Sequence, residues 1–205
     1  MSDRFGQAYG LTIMSPIIGE PDVDGTAHDV DIRRELRALN ALAESPFARV
    51  STTHLARWVV IDEAPYESEP AKVDHLESKY LLFTSNFDGG TLDDTTALND
   101  YLELLRTQIS EVIERVYGHC VGFPGTSTRA AFQSYMRRCR IPTTFLFGAY
   151  GEATQEQVQR SLSLQRSLSD FVRAQQVTRP PPEDLKQRFF QFATTAGLIA
   201  PKAPL

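Results

Sequence analysis

The sequence predicts an α+β fold in which helices pack on one face of an antiparallel sheet. Two observations support this prediction. Strand-type and helix-type hydrophobic patterns alternate over residues 1–150, and two of the strands are apolar on both faces. A chain of 205 residues is long enough for one domain with an extension. We therefore predict a sheet domain over residues 1–150 and a helical C-terminal extension over residues 151–205.

Hydrophobic spacing predicts the individual elements. Period-two or continuous apolar runs indicate four strands, at 11–15, 54–62, 80–87 and 143–149. Apolar residues three and four apart indicate five helices, at 31–43, 98–116, 128–138, 154–175 and 183–195. The second helix has the longest repeat, and we expect its apolar residues to be buried, among them Leu102, Leu105, Ile109 and Val112.

Capping and breaking residues predict the helix ends and one loop. Asp29 or Asp31 can accept the first amide hydrogens of the first helix. Gly118 stands where the second helix would end in a left-handed residue, and Thr154 can open the helix of the extension. Residues 63–78 are acidic and contain prolines, which predicts an exposed excursion between the second and third strands.

The predicted elements of the sheet domain follow the order βαββαβ, which is that of a ferredoxin-like unit. Two helices cover only one face of such a sheet. The second strand offers no polar face to water, because Trp58 on one side is matched by Leu55 and Val59 on the other. We therefore expect the second face to be covered, either by another copy of the chain in a homodimer or by the C-terminal helices.

Composition excludes several classes of protein. Acidic residues outnumber basic ones by 26 to 21, so we expect no nucleic-acid surface. No apolar run reaches the about 18 residues of a membrane span, and the N-terminus lacks the apolar core of a signal peptide. The two cysteines, Cys120 and Cys139, form no CxxC pair. These features predict a reduced, cytoplasmic protein with no membrane partner.

The element order, the long second helix and the two-sided apolar sheet resemble the dimeric α/β barrel superfamily. The stretches THLARW at 53–58 and LFTSNFDG at 82–89 also resemble a poorly characterised ferredoxin-like group of bacterial proteins. The superfamily includes antibiotic-biosynthesis-type monooxygenases, EthD-like proteins, and the haem-containing chlorite dismutases and dye-decolourising peroxidases. The GxxDG-type haem motif of the last group is absent here.

His54 and Arg57 are the predicted catalytic residues. A histidine on a half-buried strand can act as acid and base or bind a metal or haem, or it can simply bond a backbone carbonyl. Arg57 lies between apolar neighbours, so we expect a buried or half-buried guanidinium with a ligand or a carboxylate as its partner. Strand alternation places the two side chains on opposite faces unless a β-bulge intervenes.

Four further residues are predicted to bind a ligand: Trp58, Asn86, Asp88 and His119. Asn86 and Asp88 end the third strand, where they would form a pocket rim or bond the turn backbone. The resemblance implies that His119 is a candidate axial ligand, although a helix C-terminus also favours histidine. His28 lies in a polar loop and is expected to be solvated. No HxH or HExxH spacing occurs, so the sequence predicts no metal site.

Two functions remain open. The resemblance implies a peroxidase- or monooxygenase-like oxidoreductase that acts on an apolar small molecule in a pocket on the sheet, with haem as a candidate cofactor. The alternative is a non-enzymatic homodimer that binds a small apolar ligand or acts as a scaffold. The aromatic residues of the second and third strands suit both functions.

Overall fold

The computed structural model describes residues 3–64, 74–90 and 93–198 and shows an α+β fold with a four-stranded antiparallel sheet. The strands are β1 Arg4–Phe5, β2 Ala8–Pro16, β3 Thr53–Ala64 and β4 Asp74–Asp88. The α-helices are α1 His28–Asn40, α2 Asp94–Gln108, α3 Ser110–Tyr117, α4 Arg129–Arg138, α5 Gln155–Thr178 and α6 Pro182–Thr195. The chain divides into two compact units, residues 1–155 and 156–205.

The sheet has the strand order β1-β2-β4-β3, and all neighbours are antiparallel. β3 and β4 are longer than predicted. The predicted excursion over 63–78 is therefore wrong at both ends, where Glu63 pairs with His75, and residues 65–73 lie outside the described part of the chain. The polar composition of the segment predicted exposure, and Glu63 is exposed. An exposed residue can still pair within a strand, so exposure did not indicate a loop.

The core lies between one face of the sheet and the helices of the first unit. Alternate residues of β2 and β4 form its strand side, namely Tyr9, Leu11, Ile13, Leu81, Phe83 and Phe87. The helix residues predicted to be buried are at most 2% exposed, which confirms that prediction for Leu102, Leu105, Ile109 and Val112. The other face of the sheet, which we call the open face, carries the exposed Leu55 of β3.

The predicted long second helix is two helices. α2 ends at Gln108 and α3 begins at Ser110, because Ile109 between them has a φ of −136°, outside the helical region. Ile109 is nevertheless fully buried, so the hydrophobic repeat continues through the break and does not reveal it. Gly118 has a right-handed φ of −57°, so the predicted left-handed cap is wrong. Glycine is needed there because a Cβ would lie 2.6 Å from the Glu114 carbonyl oxygen.

The predicted fourth strand is also wrong. Residues 141–154 are all described, and none of them belongs to a strand or a helix. The segment begins beside β2, where Ile13 and Arg140 form an isolated antiparallel bridge. Pro142 follows almost at once, and proline has no N–H to continue a ladder.

The N-terminal residues pair with the edge of β2 that faces away from β4. The amide of Gly10 donates to the carbonyl oxygen of Asp3 at 2.7 Å. The amide of Thr143, which would otherwise continue the ladder, donates to the Asp3 carboxylate at 2.6 Å. The two residues of β1 therefore form the sheet edge, and the βαββαβ order ends without its last strand.

Helix α1 begins at His28, earlier than predicted. The residue before it makes no side-chain cap, so the prediction that Asp29 or Asp31 is the N-cap is wrong. Both aspartates lie in the first turn and are buried. The Lys79 ammonium group lies 2.8 Å from Asp29, and the Arg34 guanidinium lies 2.6 Å from Asp31.

The second unit contains most of α5 and all of α6. α5 begins directly after Thr154, and α6 is followed by Gly197 with a positive φ of 68°, which suits the end of a helix. The rings of Phe171 and Phe192 stack at 4.9 Å between the two helices. No residue of α5 is buried. Across the described residues, no helix combines the length and the apolarity needed to cross a membrane.

Candidate functional site

A β-bulge at the start of β3 determines where His54 lies. Thr53 pairs with Phe87 and Leu55 pairs with Asn86, so His54 is the extra residue on its strand. The bulge brings Nε2 of His54 to 2.6 Å from Oδ1 of Asp88. An ionised carboxylate can only accept a hydrogen bond, so Nε2 is the atom that carries the proton, and Nδ1 is the basic atom of a neutral ring.

Asp88 is held from two sides at the end of β4. Its second carboxylate oxygen accepts the backbone amide of Gln155, the first residue of α5, at 2.9 Å. The side chain of Asp88 is 14% exposed and that of His54 is 23% exposed. The carboxylate therefore has little freedom, and it orients an imidazole that still reaches the surface.

The His54 ring lines an apolar cavity of about 230 Å³. Ala8, Leu55 and Asn86 of the open face form its floor, and residues 146–151 form its wall. Gly10 allows this approach, because a Cβ there would lie 3.1 Å from the Leu146 side chain. Side chains at Phe147 and Tyr150 are 68% and 75% exposed, so the cavity has an apolar and largely uncovered rim.

Arg57 does not have the environment that the sequence predicted. It is exposed, and the described part of the chain shows no ion pair to its guanidinium, so the prediction of a buried or half-buried charge is wrong. Its position opposite Thr84 places it on the open face. Apolar neighbours along β3 did not indicate burial, because Leu55 on the same face is itself 63% exposed.

The other predicted ligand-binding residues do not share one site. Asn86 lines the cavity beside His54, and Asp88 bonds His54. Trp58 faces the core side, where its ring lies 5.0 Å from Phe47, and it lines a separate cavity of about 330 Å³. The structure thus groups Asn86 and Asp88 with His54 and separates Trp58 from them.

His119 lies in a third place, beside the start of α1. Its Nδ1 is 2.7 Å from Nδ1 of His28, so one ring donates to the other. The prediction that His28 is solvated is therefore wrong, since it is half-buried and paired. The two histidines are 91 positions apart, so no local pattern could reveal their contact. The only local signal was the spacing of His28 and Asp31, which places both side chains on one side of a helix.

His54 does not fit an axial haem ligand. Such a histidine must present a ring nitrogen to a flat apolar cavity that accepts the macrocycle. The cavity at His54 has a volume of about 230 Å³, which is too small to enclose a haem. His54 therefore suits proton transfer or hydrogen bonding to a smaller molecule. The role of His119 as an axial ligand stays a prediction, because its contact with His28 engages Nδ1 and not Nε2.

Comparisons with protein-family models, with curated proteins and with solved structures give no match for this chain. The resemblance to the dimeric α/β barrel superfamily therefore stays a prediction.

Proposed function

We propose that this protein is a small, monooxygenase-like oxidoreductase that binds an apolar molecule on the open face of the sheet. The observation behind the proposal is the His54–Asp88 pair at the rim of an apolar cavity. A carboxylate that fixes the tautomer of an imidazole is the usual arrangement of a histidine general base. The apolar floor of the cavity selects a substrate with little charge.

The reaction begins with the transfer of a proton from an activated C–H or O–H group of the substrate to Nδ1 of His54. The electron pair of that bond stays on the substrate, and Asp88 stabilises the imidazolium. Dioxygen is the oxidant. For a methylene group, one oxygen atom becomes the carbonyl oxygen and the other leaves as water with the two methylene hydrogens. No further reductant is needed.

Anthrone, a flat apolar ketone with an acidic methylene group, is a suitable probe. We expect the wild-type protein to accelerate deuterium exchange at the methylene and dioxygen uptake. His54→Ala should lower both rates by at least about 100-fold, the usual size of a general-base contribution. Arg57→Ala is the control, because Arg57 is exposed and does not line this cavity. Exchange that is no faster than in buffer would contradict the enzymatic proposal.

A non-enzymatic ligand-binding protein is the second candidate. The observation in its favour is that Asp88 also accepts the Gln155 amide, so the carboxylate has a structural role without any catalysis. In that case a fluorescent apolar probe should bind equally well to the wild type and to His54→Ala, and neither protein should exchange the methylene protons. The same set of samples distinguishes the two functions.

We also propose that a second copy of the chain covers the open face. Leu55 and Val59 of β3 are 63% and 36% exposed, and Phe145 of the neighbouring segment is 81% exposed. Leu55 and Val59 lie on the same face of β3, so they form an exposed apolar surface on a sheet whose other face is already covered. The order β2-β4-β3 with helices on one face supports a ferredoxin-like core that dimerises through its sheet.

Sedimentation velocity tests the dimer. Leu55→Glu should convert a dimer into a monomer, because it places a charge in the apolar interface. Val23→Glu is a matched control, since Val23 is a fully exposed apolar residue in the loop before α1. A wild-type monomer at micromolar concentration would contradict the proposal.

A further inference from the structure

Three potential metal ligands meet where α1 begins. His28, Asp31 and His119 each offer one ligand atom, and these atoms all lie within 4.8 Å of one another. The two histidines are half-buried and the aspartate is buried. The cluster shares no residue with the His54–Asp88 pair.

Rigid elements position each member of the cluster. His28 is the first residue of α1 and Asp31 follows one turn later, so both side chains lie on the same side of the helix. His119 follows α3, and its carbonyl oxygen accepts the Ile18 amide at 3.0 Å, beyond the end of β2. The next residue, Cys120, forms an antiparallel bridge with Ile17. The sheet and the helix therefore hold the two halves of the cluster in place.

The carboxylate of Asp31 is the most buried member of the cluster. Its side chain is only 4% exposed, and its Oδ1 atom is buried. Arg34 Nη2 lies 2.6 Å from this oxygen as an ion pair, but the Arg34 side chain is 65% exposed and can move into solvent. A buried carboxylate with an oxygen within 4.8 Å of two imidazole nitrogens is a common feature of metal sites.

We propose that His28, Asp31 and His119 bind a divalent first-row transition metal ion of the zinc type. Two imidazoles and one carboxylate are ligands that such ions prefer. With bonds of about 2.0–2.1 Å, a tetrahedral ion separates its ligand atoms by about 3.3 Å. The His28–His119 distance of 2.7 Å would open by about half an ångström, and the aspartate would approach by side-chain rotation.

Three protein ligands leave one position of a tetrahedral ion to water or to a further ligand. The ion replaces the proton that now lies between the two imidazoles, and it supplies the positive charge that Arg34 gives to Asp31. It also joins the start of α1 to the segment after α3. Removing the ion should therefore loosen the start of α1 without affecting the cavity at His54.

Zinc binding to the purified full-length chain tests the proposal. The metal is first removed with a chelator, and Zn²⁺ is then titrated in competition with a chromophoric chelator. We expect one ion per chain. Three variants, His28→Ala, His119→Ala and Asp31→Asn, should each weaken zinc binding by at least about 10-fold. Loss of a residue that only hydrogen-bonds a metal ligand already weakens binding by about that factor, so loss of a ligand should cost at least as much. His54→Ala is the matched control, because it removes an imidazole outside the cluster and should bind as the wild type does.

Co²⁺ provides a second readout that does not depend on affinity alone. The wild type and His54→Ala should show the visible absorption of four-coordinate Co²⁺, and the three cluster variants should lose it. Circular dichroism shows whether each variant is folded, and His119→Gln replaces His119→Ala if the latter is not. The proposal is overturned if the wild type takes up neither ion, or if folded cluster variants bind both ions as the wild type does. The His28–His119 contact would then be a hydrogen bond without a metal-binding role.

Discussion

The Nε2 atom of His54 lies 2.6 Å from Oδ1 of Asp88, across the ends of two neighbouring strands. The contact exists because the bulge adds one residue to β3 opposite Phe87 and Asn86. If β3 continued regularly back from Leu55 on the open face, strict alternation would turn the His54 side chain to the helix side of the sheet. The candidate site is therefore a consequence of one irregularity in the ladder.

A double-mutant cycle should measure this contact. We expect His54→Ala and Asp88→Ala to be coupled by about 0.5–1.5 kcal/mol in the free energy of unfolding, as is typical of a partly buried hydrogen bond. Asp88→Ala should cost more than His54→Ala, because it also leaves the Gln155 amide without its acceptor. Urea unfolding gives all four values, and a coupling near zero would mean that the pair does not form in solution.

Leu105 should be a strong contributor to stability. It is 1% exposed in the core between α2 and the sheet, so Leu105→Ala should lower the free energy of unfolding by about 2–5 kcal/mol. Leu42→Ala is the matched control, since Leu42 is 53% exposed and should cost less than about 0.5 kcal/mol. Equal losses in the two variants would show that α2 is not packed as described.

Alanine substitutions at three glycines should distinguish the cost of a left-handed backbone from the cost of a steric clash. Gly6 has a φ of +60° and a Cβ there would lie 2.4 Å from the Gly151 carbonyl oxygen, whereas Gly25 has a φ of +81° in open space. Gly19 has neither constraint. Alanine should therefore be nearly neutral at Gly19, cost about 1–2 kcal/mol at Gly25, and cost more than either at Gly6.

Thermal unfolding of the three alanine variants gives the order. The Gly6 variant should also disturb the wall of the cavity, because the Gln7 amide donates to the same Gly151 oxygen at 2.6 Å. Weaker binding of an apolar fluorescent probe would report that change. The expectation fails if Gly6→Ala is as stable as Gly19→Ala.

Buried acids should make the fold less stable at alkaline pH. Burial, with a smaller effect of the neighbouring Cys139 thiol, raises the pKa of Cys120 from 9.0 to about 12. Burial also raises the pKa of Tyr9 from 10.0 to about 12. Below pH 9 these groups are protonated in both states. Between pH 9 and 12 only the unfolded chain ionises, so the free energy of unfolding falls as pH rises. Urea unfolding at pH 8, 9.5 and 10.5 would measure it.

Alkylation of the thiols checks the same pKa shift independently. At pH 8 a thiol with a pKa of about 12 is ionised in about one molecule in 10,000, so Cys120 should react very slowly with iodoacetamide. Cys139 is only half-buried and should react first. Peptide mass spectrometry distinguishes the two sites, and urea should make both reactive. Rapid labelling of Cys120 in the native protein would contradict its burial.

The burial of Leu102 and Leu105 could be predicted because helix periodicity is a local property of the sequence. The break at Ile109 could not, since a buried isoleucine continues the same repeat inside or outside a helix. The absence of the fourth strand could not be predicted either. Asp3 accepts the amide hydrogens of Gly10 and Thr143, which a ladder between β2 and the later segment would need. A strand pattern shows that a segment can pair, and only the whole fold shows whether an edge is free.

The sequence by itself determined the α+β class, the apolar face of the second helix, and His54 and Asp88 as separate candidates, because these follow from residue type and from spacing within one element. The tertiary structure decided that His54 meets Asp88, that Arg57 is exposed, and that His28 meets His119. Each of these depends on a bulge or a chain reversal that joins distant residues. Distances between elements are set by the packing of the whole core, which no local pattern encodes.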